Sequence, residues 1–249
     1  MLKAFYCANR RLVPLSGAQP LSAALWIDLF QPTAAEVLQI AELGMSVPDL
    51  AEMEEIEVSN RLFHEDGIEN MTVVLPGQND EGMQIAAPVC FMLAPQRLVT
   101  VRHHTPRPFD TYPPRAGKMG AGCATPAAVF LGLIEEIIGR QADHLEETGR
   151  GLDTVTTTIY TADPTRRTPE RLQVTLQRVG REGEMLGKVR LALMTLAGIL
   201  PVILIGVGAP LTAFLMTGRR GYERAVHQHS LPSVGLVVHL RDLRPAIAR

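Results

Sequence analysis

Trp26-Ile27-Asp28-Leu29-Phe30-Gln31-Pro32-Thr33 is the stretch whose reading decides the fold. Residues 24–29 form a short apolar run suited to a buried strand. Pro32 follows where a proline is tolerated in the first turn of a helix. Val37, Leu38, Ile40 and Ala41 then supply an apolar helix face, and Gly44 suits its end. Ser46 and Pro48 restart a helix through Leu50, Met53 and Ile56.

Residues 71–75 and 85–93 are rich in β-branched and apolar side chains, as strands require. Pro88 inside the second run indicates an edge position or a bulge there. Residues 98–101 follow Ala94-Pro95-Gln96-Arg97, where Pro95 suits the second position of a tight turn. The front of the chain therefore reads as a small mixed sheet flanked by helices, an α/β domain. Residues 105–125 hold Pro106, Pro108, Pro113, Pro114, Gly117, Gly120 and Gly122, a density that predicts a linker. Gly120-Ala121-Gly122 has incomplete spacing and no strand directly before it, so it does not read as a phosphate cradle.

From Ala127 the period changes. Ile138, Leu145, Leu152 and Ile159 recur every seven residues, with Ile134 and Val155 on the adjoining line. Leu172, Val179, Leu186 and Leu193 do the same, joined by Leu176. Between them lies a turn around Pro164, and Thr168-Pro169-Glu170 is a good helix start. Two long amphipathic helices joined by so short a connection must run antiparallel.

The 249 residues suffice for one large domain with an appendage. With a net charge of −2, no strongly basic face argues for nucleic acid. Charge is uneven, however: residues 36–69 carry ten Asp or Glu against the single base Arg61. Such a segment reads as a solvated face, or as a surface that gathers hard divalent cations through carboxylate oxygens. Cys7, Cys90 and Cys123 form no C-x-x-C pair and fit a reducing compartment without a disulfide framework. The first residues lack a basic stretch followed by an apolar run, so no leader is indicated and the front is expected in the cytosol.

The order of motifs resembles the cytosolic domain of the CorA family of divalent-cation transporters. Residues 26–33 match its W-[IV]-D-L-x-x-P-T pattern. Glu55-Ile56-Glu57-Val58-Ser59-Asn60-Arg61-Leu62-Phe63-His64-Glu65-Asp66 is similar to its E-I-E-x-S-x-R-x-[YF]-x-E-D segment, and Met71-Thr72 leads into a strand as there. Arg97-Leu98-Val99-Thr100-Val101-Arg102 looks like its R-L-V-T-V-R hairpin, and Val179-Gly180-Arg181-Glu182-Gly183 like its I-G-R-x-G. The resemblance covers residues 1–196. It implies an αβα cytosolic domain (1–126, with the linker) and a funnel or stalk of long helices (127–196). It implies also a homopentamer, a bacterial inner membrane location with the N-terminal domain cytoplasmic, and magnesium or zinc as transported or regulatory ion. No other cofactor, no nucleic acid and no enzymatic activity are implied.

Residues 197–249 form an apolar tail that matches no family segment. The uncharged run 191–217 would span about 40 Å as a helix, more than the ~30 Å bilayer core, so hydropathy marks it as a candidate span. Pro201, Gly206, Gly208 and Pro210 interrupt it. The family's G-M-N pore signature does not occur in the sequence. The expectation is a truncated or frame-shifted subunit that does not conduct alone; the alternative is a cytosolic cation-binding and oligomerisation module, soluble if the tail is not inserted.

Asp28, Glu54, Glu55 and Glu57 are the candidate residues for a regulatory cation site between subunits. His103-His104 reads as an exposed pair at a strand end, having no third ligand at motif spacing. His64-Glu65-Asp66 reads as polar helix surface. No nucleophile elbow and no H-E-x-x-H helix is present.

Overall fold

A computed structural model describes residues 1–17, 19–55, 61–161 and 169–206. Seven strands form one mixed sheet: β1 Leu2–Ala8, β2 Arg11–Pro14, β3 Trp26–Phe30, β4 Leu62–Glu65, β5 Ile68–Gln78, β6 Gln84–Leu93 and β7 Leu98–Arg102. Their order is β2-β1-β3-β7-β6-β5-β4, with β3 and β7 parallel and every other neighbour antiparallel. Around it lie α1 Ala34–Ala41, α2 Leu50–Glu54, α3 Pro108–Arg115, α4 Pro126–Thr161 and α5 Pro169–Gly206. This is the expected αβα domain followed by two long helices.

Alternation along β3 and β7 builds the layers. Ile27 and Leu29, with Val99 and Val101, point to the face covered by Ile40, Met45 and Met53. Trp26 and Leu98 point to the other, where Phe109, Tyr112, Phe130 and Ile134 cover them. Trp26 is fully buried, stacked on Phe5 at 4.9 Å and edge-on to Tyr112 at 5.8 Å. Truncating such a residue costs about 3–5 kcal/mol.

The helix starts differ from the sequence reading by up to three residues. Thr33 caps α1 and exchanges side-chain and backbone hydrogen bonds with Glu36, so Pro32 stands just outside the helix. The second helix begins with the same device at Asp49 and Glu52, not at Ser46. Ile56, read as part of that helix, lies outside the described residues. Pro88 sits where β7 no longer pairs with β6, so its missing N–H falls at a local edge.

The proline-rich linker is in part a helix. Pro108 occupies the first turn of α3, where it is tolerated, while Pro113 and Pro114 forgo two backbone bonds. Burial of Phe109, Tyr112 and Ala116 against Trp26 and its neighbours outweighs that loss. His64-Glu65-Asp66 also falls elsewhere than expected: His64 and Glu65 end β4, and Asp66-Gly67 is the hairpin turn, both with positive φ. Asp-Gly between paired runs is the signal that the helix reading passed over.

The apolar run 191–217 begins inside α5, which continues beyond Leu196 to Gly206. Ala192, Leu196 and Ile199 are buried in the domain core. No described helix is long and apolar enough to cross a membrane. Residues 207–217 of the run lie outside the described residues.

Candidate functional site

Asp28 stands at the centre of a buried polar network in the sheet. Its carboxylate accepts from Arg102 Nη2 at 2.9 Å and Nε at 3.1 Å, and from Thr100 Oγ1 at 2.9 Å. Thr100 accepts in turn from the Trp26 indole N–H at 3.1 Å. Parallel pairing sets Asp28 opposite Thr100 and Phe30 opposite Arg102. The guanidinium lies over the Phe30 ring at 4.8 Å and the Phe109 ring at 4.9 Å, and its Nη1 donates to the His104 carbonyl. Both charges are nearly inaccessible and each is paired, the arrangement that lets an ion pair survive burial. Of the candidate cation ligands, Asp28 is therefore engaged within its own chain.

Glu54 ends α2 and Glu55 follows it, both exposed. The Glu55 carbonyl accepts from Arg61 Nε at 2.9 Å. Glu57 lies outside the described residues. Among the described residues, no three of His, Cys, Asp and Glu gather as a metal site within one chain.

The histidines at the end of β7 are not an exposed pair. His104 is buried and its Nε2 donates to the Leu75 carbonyl at 2.9 Å. Burial lowers its pKa to about 4, so the ring is neutral. Gly77 makes the room: a Cβ there would meet the His104 ring at 2.6 Å. His103 is half-buried, and burial lowers its pKa against the opposing pull of Glu54.

Between α3 and α4 lies a cleft of about 450 Å³ lined by charged pairs. Glu136 accepts from Thr111 Oγ1 at 2.7 Å and Arg115 Nη1 at 2.8 Å. Beside it, burial raises the pKa of Glu135.

The long helices carry the feature with the widest consequence. The seven-residue line facing the domain and α5 is Ile134, Gln141, Thr148 and Val155, with Ile137 and His144 beside it. Half of these six residues, Gln141, His144 and Thr148, are polar. The more apolar line, Ile138, Leu145 and Ile159, is exposed instead, with Leu152 half-buried. On α5, Leu172, Leu176, Val179 and Leu186 are likewise exposed. Each helix thus turns its sequence-evident apolar line away from its own chain. Burial of one such Leu or Ile is worth about 1.5–3 kcal/mol.

α5 also grips the sheet. Among the described residues, β4 pairs β5 only as far as Met71. Thr195 Oγ1 accepts from the Val74 N–H at 3.0 Å. Lys188 Nζ donates to the Gln84 carbonyl and pairs with Glu184. Sequence reasoning missed Thr195 because a threonine in an apolar run carries no pattern of its own.

The family model described as "CorA-like Mg2+ transporter protein" matches residues 22–200. "Magnesium transport protein CorA" of Escherichia coli (strain K12) is 33% identical over 149 residues, which are 59% of this chain and 47% of that protein. "Magnesium transport protein CorA" of Haemophilus influenzae is 29% identical over 197 residues, 78% of this chain and 61% of that protein. The chain spans about half the length of the curated relatives it matches. Among solved structures, the full-length CmaX protein superposes with a TM-score of 0.52 at 11% identity, covering 92% of this chain and 79% of that one. That likeness is one of fold. With the family pattern extending from just before β3 through the sheet and along α5 as far as residue 200, the chain belongs to the CorA-like Mg2+ transporter protein family.

Proposed function

We propose that this chain is a subunit of a divalent-cation transport assembly, with magnesium the first ion to test and zinc the second. The αβα domain lies on the cytoplasmic side of a bacterial inner membrane, and α4 and α5 line a funnel between it and the membrane. The observation that carries this reading is the pair of exposed apolar heptad lines on α4 and α5. Such lines are what copies of one chain bury against each other around a closed axis. Five copies are the number that the resemblance implies.

In this reading the domain senses the ion and does not itself pass it. The acidic α2 end, Glu54 and Glu55 with Glu57, supplies carboxylates to a regulatory site completed by the neighbouring subunit. Asp28 was a candidate for the same role; its bonds to Arg102 and Thr100 favour keeping it as a positioning group. Hard oxygen ligands of this kind suit magnesium.

Two experiments test the reading. The full chain should gain melting temperature in millimolar magnesium, and E54Q/E55Q/E57Q should abolish the gain. No gain in an assembled protein would sink the regulatory site. The 249-residue chain alone should not restore growth of a magnesium-starved host lacking its own uptake system; rescue would show that it conducts. Burial of Ala192, Leu196 and Ile199 in the domain favours a second reading, a non-conducting module that binds cations and associates. A magnesium-dependent melting shift without any membrane association of the full chain selects that module.

A further inference from the structure

Cys7 and Cys123 are 116 residues apart in the chain, yet their sulfurs stand 3.5 Å from each other. Several features hold them there. Cys7 lies in β1, on the sheet-edge hairpin whose turn, Asn9-Arg10, has both residues at positive φ. The segment after α3 is pressed onto that turn: a Cβ at Gly117 would collide with the Arg10 carbonyl oxygen. Gly122, at φ +70°, then directs the chain into Cys123. The two cysteines differ in access, Cys7 being half-buried and Cys123 almost fully buried. Cys90 lies on the opposite face of the sheet among Ile27, Val99 and Met92.

We propose that Cys7 and Cys123 form an oxidant-responsive thiol pair that closes to an intramolecular disulfide, with hydrogen peroxide as the class of oxidant. The Cys7 thiolate attacks one peroxide oxygen; the O–O bond breaks and hydroxide leaves, giving a sulfenic acid at Cys7. The Cys123 sulfur then attacks the Cys7 sulfur as its proton departs. An S–S bond forms, the S–O bond breaks, and the second oxygen leaves as water. Two thiols and one peroxide become one disulfide and two waters, the sulfurs losing two electrons to the peroxide oxygens. The sulfurs need to approach by only about 1.5 Å to reach bonding distance. Cys7 is the more accessible sulfur, which assigns it the first attack, while burial pushes the Cys123 thiol up. The bond would staple the β1–β2 hairpin to the segment feeding α4, the first of the long helices.

The test treats the reduced full chain, freed of reductant, with equimolar hydrogen peroxide, followed by alkylation and peptide mapping. A linked Cys7–Cys123 peptide is expected, with Cys90 still alkylated after unfolding. C90S should give the same link, and C123S should leave a Cys7 sulfenic acid that a cyclic 1,3-dione captures. The oxidised protein should exchange amide hydrogens across residues 119–125 several-fold more slowly. The proposal is overturned if all three thiols stay alkylatable. It is overturned equally if Cys7 goes to sulfinic acid unlinked in the wild-type chain, or if links form only between chains.

Discussion

The hydroxyl of Thr195 accepts a hydrogen bond from the Val74 amide at 3.0 Å, joining α5 to β5. A strand partner would ordinarily take that N–H, and among the described residues β4 supplies none beyond Met71. Lys188, two turns earlier, holds the Gln84 carbonyl on β6. The sheet domain and α5 are therefore joined by direct hydrogen bonds.

Thr195→Val keeps shape and removes the acceptor, leaving a partly buried N–H unpaired at a cost of about 1–3 kcal/mol. Urea unfolding of the full chain measures it. A midpoint equal to wild type would mean that water replaces the hydroxyl and the link is weak.

Asp28→Ala strands the Arg102 charge between the Phe30 ring of β3 and the Phe109 ring of α3. Removing one partner of a buried pair costs about 3–5 kcal/mol, so the variant should unfold at markedly lower denaturant. Asp28→Asn retains an acceptor and should lose less. Equal losses would show that shape, and not charge, holds this network.

Acid should weaken the domain partly through His104. Its folded pKa, about 4, lies below the ordinary value near 6.5, so the unfolded chain binds the proton first. The contribution is complete above pH 6.5 and is lost as pH falls toward 4, by at most about 3 kcal/mol. His103 and His144, also lowered by burial, act in the same direction. Unfolding free energy measured from pH 7.5 to 4.5 should fall less steeply in His104→Asn. Identical slopes would assign the acid sensitivity elsewhere.

Two glycines should respond oppositely to alanine. At Gly117 the added Cβ meets backbone, the Arg10 carbonyl, and nothing soft can give way. At Gly151, inside α4, it meets the Glu182 carboxylate, the far end of a flexible side chain. Gly117→Ala should destabilise, whereas Gly151→Ala should be neutral or gain up to about 1 kcal/mol of helix propensity. Thermal melts of both variants decide it, and a stable Gly117→Ala would show that the turn is free to lift.

Much of the fold was legible because it is written in local periods. β3, β5, β6 and β7 announce themselves as apolar runs, and α4 and α5 as seven-residue repeats. What escaped depends on partners distant in sequence. α3 hides behind Pro113 and Pro114, since only Trp26 and its neighbours make burying Phe109 and Tyr112 worthwhile. His104 read as exposed because the space that Gly77 leaves for it is 27 residues away. The candidate site was legible by residue type alone: carboxylates at 54 and 55 are evident in sequence, while the engagement of Asp28 by Arg102 required the parallel register of β3 and β7. The helix repeats were found, but not which line faces inward, because Gln141, His144 and Thr148 occupy the buried one.

That inversion supplies the most direct measurement. Sedimentation of the full chain should show a closed oligomer, and Ile138→Glu/Leu145→Glu should dissociate it to monomers with unchanged helical circular dichroism. A wild-type chain that sediments as a monomer, with or without magnesium, would contradict the assembly on which the proposed function rests.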